Sequence, residues 1–194
     1  LQAISAVPPK AQREAEAKAR TDTVQDVDDE EKTLRDAIRD EPTSAFAHCN
    51  LGDLFKKRGK DAEAEATYRE AIRVAPKYAY AHNKLGMLLN KLGKDADAEA
   101  SYREAIRYNP KDARPHWYLA NLLEKRGDVD GAIVEIREYI RKGDPDNDGE
   151  ARLAKLLKKK KEEAVERERR GYAVGEKVEA KWQRGSSYWP GKIS

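Results

Sequence analysis

The sequence predicts an all-α fold, a right-handed α-solenoid of helix hairpins, and two observations favour it. Residues 59–82 recur as residues 93–116, with 17 of 24 aligned positions identical at a spacing of 34 residues. A fixed period of that length is typical of repeat solenoids. Charged residues make up 39% of the chain and hydrophobic residues another 39%. This lean composition suits helices that each keep one side in water.

The charge balance and the single cysteine narrow the class of protein. The 39 Lys and Arg residues nearly offset the 36 Asp and Glu residues, which argues against a general nucleic-acid binder. No apolar run approaches the roughly 18 residues that span a bilayer, so we expect no membrane partner. Cys49 has no second cysteine to pair with and favours a reducing compartment. We expect an intracellular, cytoplasmic or nuclear protein, with organelle import left open because the chain starts at Leu1 and resembles a piece of a longer protein.

The helical patterns divide the chain into consecutive segments. We expect an N-terminal arm or frayed helix over residues 1–29, a half-repeat over 30–44, and repeats over 45–78, 79–112 and 113–146. A capping helix from about residue 148 completes a repeat domain over 30–157, and a charged helical spacer follows over 158–171. In each repeat a glycine is expected to close the first helix, and the aspartate after it to cap the second. The residues expected to cover the open end of the solenoid are Leu153, Ala154, Leu156 and Leu157.

Recurrent small and aromatic residues identify the family that the repeats resemble. The first helices carry Leu51-Gly52, Leu85-Gly86 and Leu119-Ala120, and the second helices carry Ala64, Ala98 and Ala132, followed by Tyr68, Tyr102 and Ile136. This pattern resembles the tetratricopeptide repeat family, with Tyr139 departing from it in the third repeat. The resemblance implies a non-enzymatic protein–protein interaction scaffold. Its partner peptide or helix would lie in the concave groove formed by the first helices.

The register of the family predicts which side chains line this groove. Aromatic side chains for burial, with amides and charges for main-chain bonding, suit an extended peptide or a partner helix. Family members that grip acidic chaperone tails carry Lys, Asn and Arg at positions where this chain mostly differs; only Arg114 is similar, so no chaperone-tail clamp is expected. The predicted groove residues are Phe46, Cys49, Asn50, Asp53, Tyr80, Asn83, Lys84, Met87, Arg114, Trp117, Tyr118 and Asn121.

The sequence offers little support for catalysis, a cofactor or a metal site. His48, His82 and His116 are 34 residues apart, but equivalent positions on packed helices are separated by about 8–10 Å. Zinc requires ligand nitrogens about 2.0–2.1 Å away, so the histidines are interpreted as packing residues. We find no nucleophile–base order and no phosphate loop, and we expect no enzyme, no cofactor and no metal.

The last residues follow a different pattern. Residues 172–194 alternate in polarity around Val178, Ala180 and Trp182, and a Gly-Ser-Ser turn precedes a second run from Tyr188 to Ile193. This resembles the start of a Tudor- or PWWP-like β module, an incomplete small barrel, in which Trp182 and Trp189 would be either core residues of a barrel used for protein contact or walls of an aromatic cage. The resemblance implies an alternative function as a reader-adaptor for methylated Lys or Arg. A further alternative is a structural subunit of a large assembly.

Overall fold

The computed structural model describes residues 29–143 and 148–185, with side chains described up to residue 170. Its elements are all α-helices within these ranges, which confirms the predicted all-α solenoid of helix hairpins. The helices are α1 (residues 29–40), α2 (Ala45–Lys57), α3 (Asp61–Val74), α4 (Ala79–Lys91), α5 (Asp95–Tyr108), α6 (Arg114–Arg126), α7 (Val129–Arg141) and α8 (Gly149–Gly185).

The first of two compact units ends at Pro110 and contains two full hairpins. Helix α2 packs against α3, and α4 against α5, while α4 also contacts α2 and α3. The tightest contact in each hairpin joins a glycine to a tyrosine. A Cβ atom added to Gly52 would lie 2.6 Å from the Tyr68 ring, and one added to Gly86 would lie 2.7 Å from the Tyr102 ring. Both tyrosines are completely buried. The close approach predicted for the Leu-Gly pair is confirmed.

The turns within the hairpins differ from the prediction in one respect. Gly59 and Gly93 have φ values of 72° and 74°, the left-handed conformation expected after a first helix. The predicted aspartate cap is wrong in these repeats, because Asp61 and Asp95 are already the first residues of α3 and α5. Asp61 instead accepts from Lys91 Nζ at 2.7 Å. In the third repeat the turn is one residue shorter, so Asp128 is the N-cap and its side chain accepts from the Gly131 N–H at 2.9 Å.

The second unit, from Lys111 onward, consists of the α6–α7 hairpin and α8. Helix α7 packs against both α6 and α8. Of the four residues expected to cover the end of the solenoid, Leu156 is buried and Leu153 is half-buried. Ala154 and Leu157 are exposed, so the prediction is wrong for these two. The buried face of α8 is therefore narrower than the sequence suggested.

The first part of the predicted C-terminal β segment is helical in the structure. Helix α8 continues to Gly185, so the strand expected around Val178 and Trp182 is wrong. The physical reason is that Glu, Lys and Ala dominate residues 176–181 and favour helix. A helix also pairs its own backbone groups, whereas a lone strand leaves them open. The second expected strand, with Trp189, lies outside the described residues.

Candidate functional site

The predicted groove residues of the first unit lie on two neighbouring helices. Phe46, Asn50 and Asp53 follow one another at i, i+4 and i+7 along α2, which places them on one helix face. Tyr80, Lys84 and Met87 have the same spacing on α4, and all three are half-buried. Phe46 is 62% exposed, which is unusual for a phenylalanine and leaves its ring open to solvent.

Two of the residues predicted for this face are closed to solvent. Asn83 is only 4% exposed, and Cys49 is completely buried. Burial raises the pKa of the Cys49 thiol to about 12, so the thiol stays protonated at neutral pH and is a poor nucleophile. Neither side chain is accessible to a partner without a rearrangement of the hairpin.

Asp53 is the centre of a polar cluster between α2, α3 and α4. The Tyr68 hydroxyl donates to Asp53 Oδ1 at 2.6 Å, and the Tyr80 hydroxyl lies 3.4 Å from Oδ2. Lys84 Nζ is 2.8 Å from the same Oδ2 and lies 4.9 Å from the centre of the Tyr80 ring. The carboxylate therefore links the buried tyrosine of its own hairpin to two predicted groove residues of the next.

The electrostatics of the cluster keep each partner in the protonation state that the contacts require. Desolvation raises the pKa of Tyr68, and the hydrogen bond that its hydroxyl donates to the Asp53 carboxylate raises it further. Burial by itself lowers the pKa of Lys84, but its bonds to Asp53 and Tyr80 outweigh that cost and raise it. Tyr68 therefore remains a neutral donor and Lys84 a cation at neutral pH.

Replacement of Asp53 with Asn tests the role of this carboxylate. The variant keeps the shape of the side chain but leaves the half-buried Lys84 ammonium without its counter-charge. We expect the free energy of unfolding to fall by about 1–2 kcal/mol, measured by urea titration of the helical circular dichroism. The matched control is Glu70→Gln, which removes an exposed pair with Arg73 and should have little effect. Equal effects of the two variants would contradict a central role for Asp53.

An open cleft of about 510 Å³ lies beside the Asp53 cluster. Three predicted groove residues, Asn50, Asp53 and Lys84, line it together. Sequence reasoning missed the others, because it treated the half-repeat helix only as packing and did not consider the last turn of α2. Among the described residues, the lining consists of Glu30, Leu34, Asn50, Asp53, Lys56, Lys57 and Lys84.

The predicted groove residues of the second unit lie on α6. Arg114 is exposed and its guanidinium is 2.9 Å from an Asp112 carboxylate oxygen, while Tyr118 and Asn121 are half-buried. Trp117 packs against two other elements of this unit. The Trp117 ring centre is 5.0 Å from that of Tyr139, and the Arg152 guanidinium of α8 lies 4.3 Å from the Trp117 ring centre. Trp117 thus has a structural role in joining α6, α7 and α8.

The three histidines act within the framework. The Nε2 atoms of His48 and His82 are 3.1 and 2.8 Å from the carbonyl oxygens of Pro42 and Pro76, each six residues earlier. His116 Nδ1 lies 2.7 Å from a Glu135 carboxylate oxygen. Within the described ranges, no group of three His, Cys, Asp or Glu residues is arranged to hold a metal ion. None of the described helices is long and apolar enough to cross a membrane.

The helical course of residues 172–185 also affects the candidate aromatic cage. A cage built from Trp182 and Trp189 needs both residues on neighbouring strands, and Trp182 belongs to α8. Trp189 lies outside the described residues. The strand that was to carry the first wall of the cage is absent from residues 148–185.

Comparison with protein families identifies the repeats. A family model described as a tetratricopeptide repeat matches residues 83–148, and a second, described as a TPR repeat, matches residues 52–93. The chain contains tetratricopeptide repeats. Proteins with these repeats generally mediate protein–protein interactions, typically as non-enzymatic scaffolds that bind protein or peptide partners.

Solved structures share the tetratricopeptide fold at low sequence identity. The crystal structure of MamA aligns with a TM-score of 0.56 and 16% identity, over 75% of this chain and 95% of that one. A thermophilic TPR protein of Thermus thermophilus aligns with a TM-score of 0.58 and 23% identity, over 70% of this chain and 75% of that one. No curated protein sequence gives a significant match. At these identities the likeness concerns the fold alone.

Proposed function

We propose that the chain is a non-enzymatic interaction module whose first unit binds an extended peptide or a partner helix in the cleft between α1, α2 and α4. The observation that carries this proposal is the open cleft of about 510 Å³ lined by Asn50, Asp53 and Lys84. These are three of the residues that the tetratricopeptide register assigns to the concave groove.

The side chains around the cleft supply the contacts that a peptide requires. Phe46 lies one helical turn before Asn50 on the same face, and its ring is 62% exposed. An exposed aromatic ring beside polar groups is a typical anchor for binding energy. Asn50 offers both a donor and an acceptor to a peptide main chain. Asp53 and Lys84 hold each other at 2.8 Å, so the floor of the cleft is already ordered before a partner arrives, which lowers the entropic cost of binding.

Selection from a displayed library of random peptides tests this function without a known partner. Peptides selected on the full chain should lose affinity about tenfold or more with Phe46→Ala, because truncation of an aromatic anchor costs at least 1–2 kcal/mol. Fluorescence anisotropy of the labelled peptides measures the change. Asn50→Ala should weaken the same peptides.

The matched control is Val134→Ala on α7. Val134 is 56% exposed, close to the exposure of Phe46, but it belongs to the second unit and does not line the cleft. Selected peptides that bind wild type, Phe46→Ala and Val134→Ala equally would refute the proposal. A library that yields no binding peptide would refute it as well.

A further inference from the structure

Helix α8 has the register of a first helix, but one face of it is left open. Leu153, Ala154 and Leu157 lie one period of 34 residues after the α6 positions of the third hairpin. Leu153 is only half-buried, Ala154 is exposed and Leu157 is 41% exposed. In the three full repeats the side chain at the position of Leu157 is at most 5% exposed; it belongs to Phe55, Leu89 and Leu123. This face of α8 is therefore built like a helix-packing surface.

The residues that follow on α8 do not supply the second helix of this fourth repeat. One period after the turn glycine of the third repeat stands Lys161, and α8 continues through it to Gly185. The small and the large apolar position of a second helix are occupied by Glu166 and Arg170. These two exposed residues pair with each other at 3.0 Å. Residues 163–175, which would form the second helix by period, instead prolong the first.

Helix α1 has the register of a second helix, and its corresponding face is open as well. Leu34 and Ala37 lie one period before Tyr68 and Ala71 of α3. Tyr68 and Ala71 are completely buried, whereas Leu34 is half-buried and Ala37 is exposed. One period before the Leu-Gly pair of α2, the sequence has Ala17-Lys18. A lysine does not fit at a position where a single added Cβ already meets the facing ring.

The two open faces match each other as the two helices of one hairpin. By the repeat register, Ala154 of α8 would lie against Leu34 of α1, the contact that glycine and tyrosine make in the first two repeats. The third repeat has Ala120 and Ile136 at these positions, and both are completely buried. An alanine with a branched aliphatic side chain is thus a combination that this fold already packs.

The charges at the ends of the two faces favour the same arrangement. The helices of a hairpin run antiparallel, so the end of the α8 face would lie beside the start of α1. Lys158 and Lys161 are exposed at the first of these ends, and Asp29 and Glu30 at the second. Glu30 takes the place of the alanine of the other second helices, so this end of the contact is polar. Exposed pairs add little energy but orient the encounter.

We propose that the α8 face of one copy, formed by Leu153, Ala154 and Leu157, packs against the α1 face of a second copy, formed by Leu34 and Ala37. The contact completes one repeat between two chains. It is heterologous, so each pair leaves one α8 face and one α1 face free and association continues beyond two copies. This association does not depend on the proposed peptide binding, although Leu34 also lines the cleft and a bound peptide would compete there with a second copy.

Sedimentation velocity at a series of chain concentrations tests the association. The weight-average mass of the wild-type chain should rise with concentration past that of two copies. Ala154→Arg/Leu157→Arg on α8 and Ala37→Arg on α1 change exposed positions, so each variant should keep its helicity and sediment as a monomer. The matched control, Val134→Arg, adds the same charge at an exposed position of α7 outside both faces and should associate like the wild type.

An equimolar mixture of the two face variants tests whether the contact is heterologous. Ala37→Arg keeps its α8 face and Ala154→Arg/Leu157→Arg keeps its α1 face, so the mixture should form pairs and no larger species. Undiminished self-association of Ala37→Arg alone would show that α8 faces pair with each other, and would overturn the proposal. A mixture without pairs would overturn it too, as would an equal loss of association in Val134→Arg.

The wild-type chain also gives a direct refutation and separates the two proposals. A chain that stays monomeric at a concentration of about 1 mM would overturn the association, because even a contact with a millimolar Kd forms there. Selected peptides that bind such a monomeric chain would leave the peptide function intact. Association of the chain without any selected peptide would refute the peptide function alone.

Discussion

Replacement of Gly86 with Ala is expected to lower the free energy of unfolding by about 1–3 kcal/mol, the cost of overpacking a filled core. The added Cβ would lie 2.7 Å from the Tyr102 ring, closer than two carbon atoms can approach. Tyr102 is completely buried, so its ring cannot move aside without displacing α5 from α4. Urea titration followed by circular dichroism at 222 nm measures the loss.

The third repeat shows how an alanine can be accommodated at the position of Gly86. Ala120 occupies the position of Gly86, and Ile136 occupies that of Tyr102; both are completely buried. A shorter side chain on the second helix thus accompanies the additional methyl group on the first. Gly86→Ala/Tyr102→Ile should therefore be more stable than the sum of the single effects predicts, with a coupling energy of about 1 kcal/mol or more. Additive effects would show that the ring and the glycine are not in direct conflict.

Replacement of Trp117 with Ala is expected to destabilise the second unit by about 2–3 kcal/mol, somewhat less than for a fully buried tryptophan. The indole contacts Tyr139 on α7 and Arg152 on α8, so its removal leaves a gap where three helices meet. Thermal unfolding should show the loss in the variant alone, without any ligand. The groove position that the sequence assigned to Trp117 would instead imply a loss of partner binding with unchanged helicity.

The variant Arg152→Ala separates the contribution of Arg152 from that of Tyr139 to the contacts of the Trp117 ring. This variant removes the cation above the indole together with the Arg152–Glu124 salt bridge at 3.0 Å, but leaves the contact between Trp117 and Tyr139. We expect a smaller loss than for Trp117→Ala, with Val134→Ala as the surface control. Unchanged stability in Trp117→Ala would return Trp117 to the role of a groove residue open to partners.

The candidate site shows which parts of a repeat protein can be predicted from a period. Asn50, Asp53 and Lys84 line the cleft because the register alone decides which face of α2 and α4 they occupy. Asn83 was assigned to the same groove, but is buried. Burial depends on how closely the neighbouring helices pack, and the spacing along one helix does not contain that information. Lys56 and Lys57 were overlooked because α1, on the other side of the cleft, has no strong repeat signature.

The C-terminal residues mark a second limit. A short run of alternating polarity fits a strand, but the same residues have high helix propensity, and α8 continues through them to Gly185. Helix formation needs only local hydrogen bonds, whereas a strand needs a partner strand. Local propensity was therefore the better predictor over residues 172–185.

The sequence by itself determined the repeat, because a period of 34 residues fixes which side chains recur on each helix face. It also determined that Gly52 and Gly86 recur where the paired helices approach closely, and the structure then showed that each faces a tyrosine ring. Only the tertiary structure decided which of the recurring positions remain open. Asp53 is tied into a cluster, Trp117 is held under Arg152, and Phe46 is left exposed. The physical reason is that exposure results from packing between helices, and differences between neighbouring repeats change that packing at positions that the period treats as equivalent.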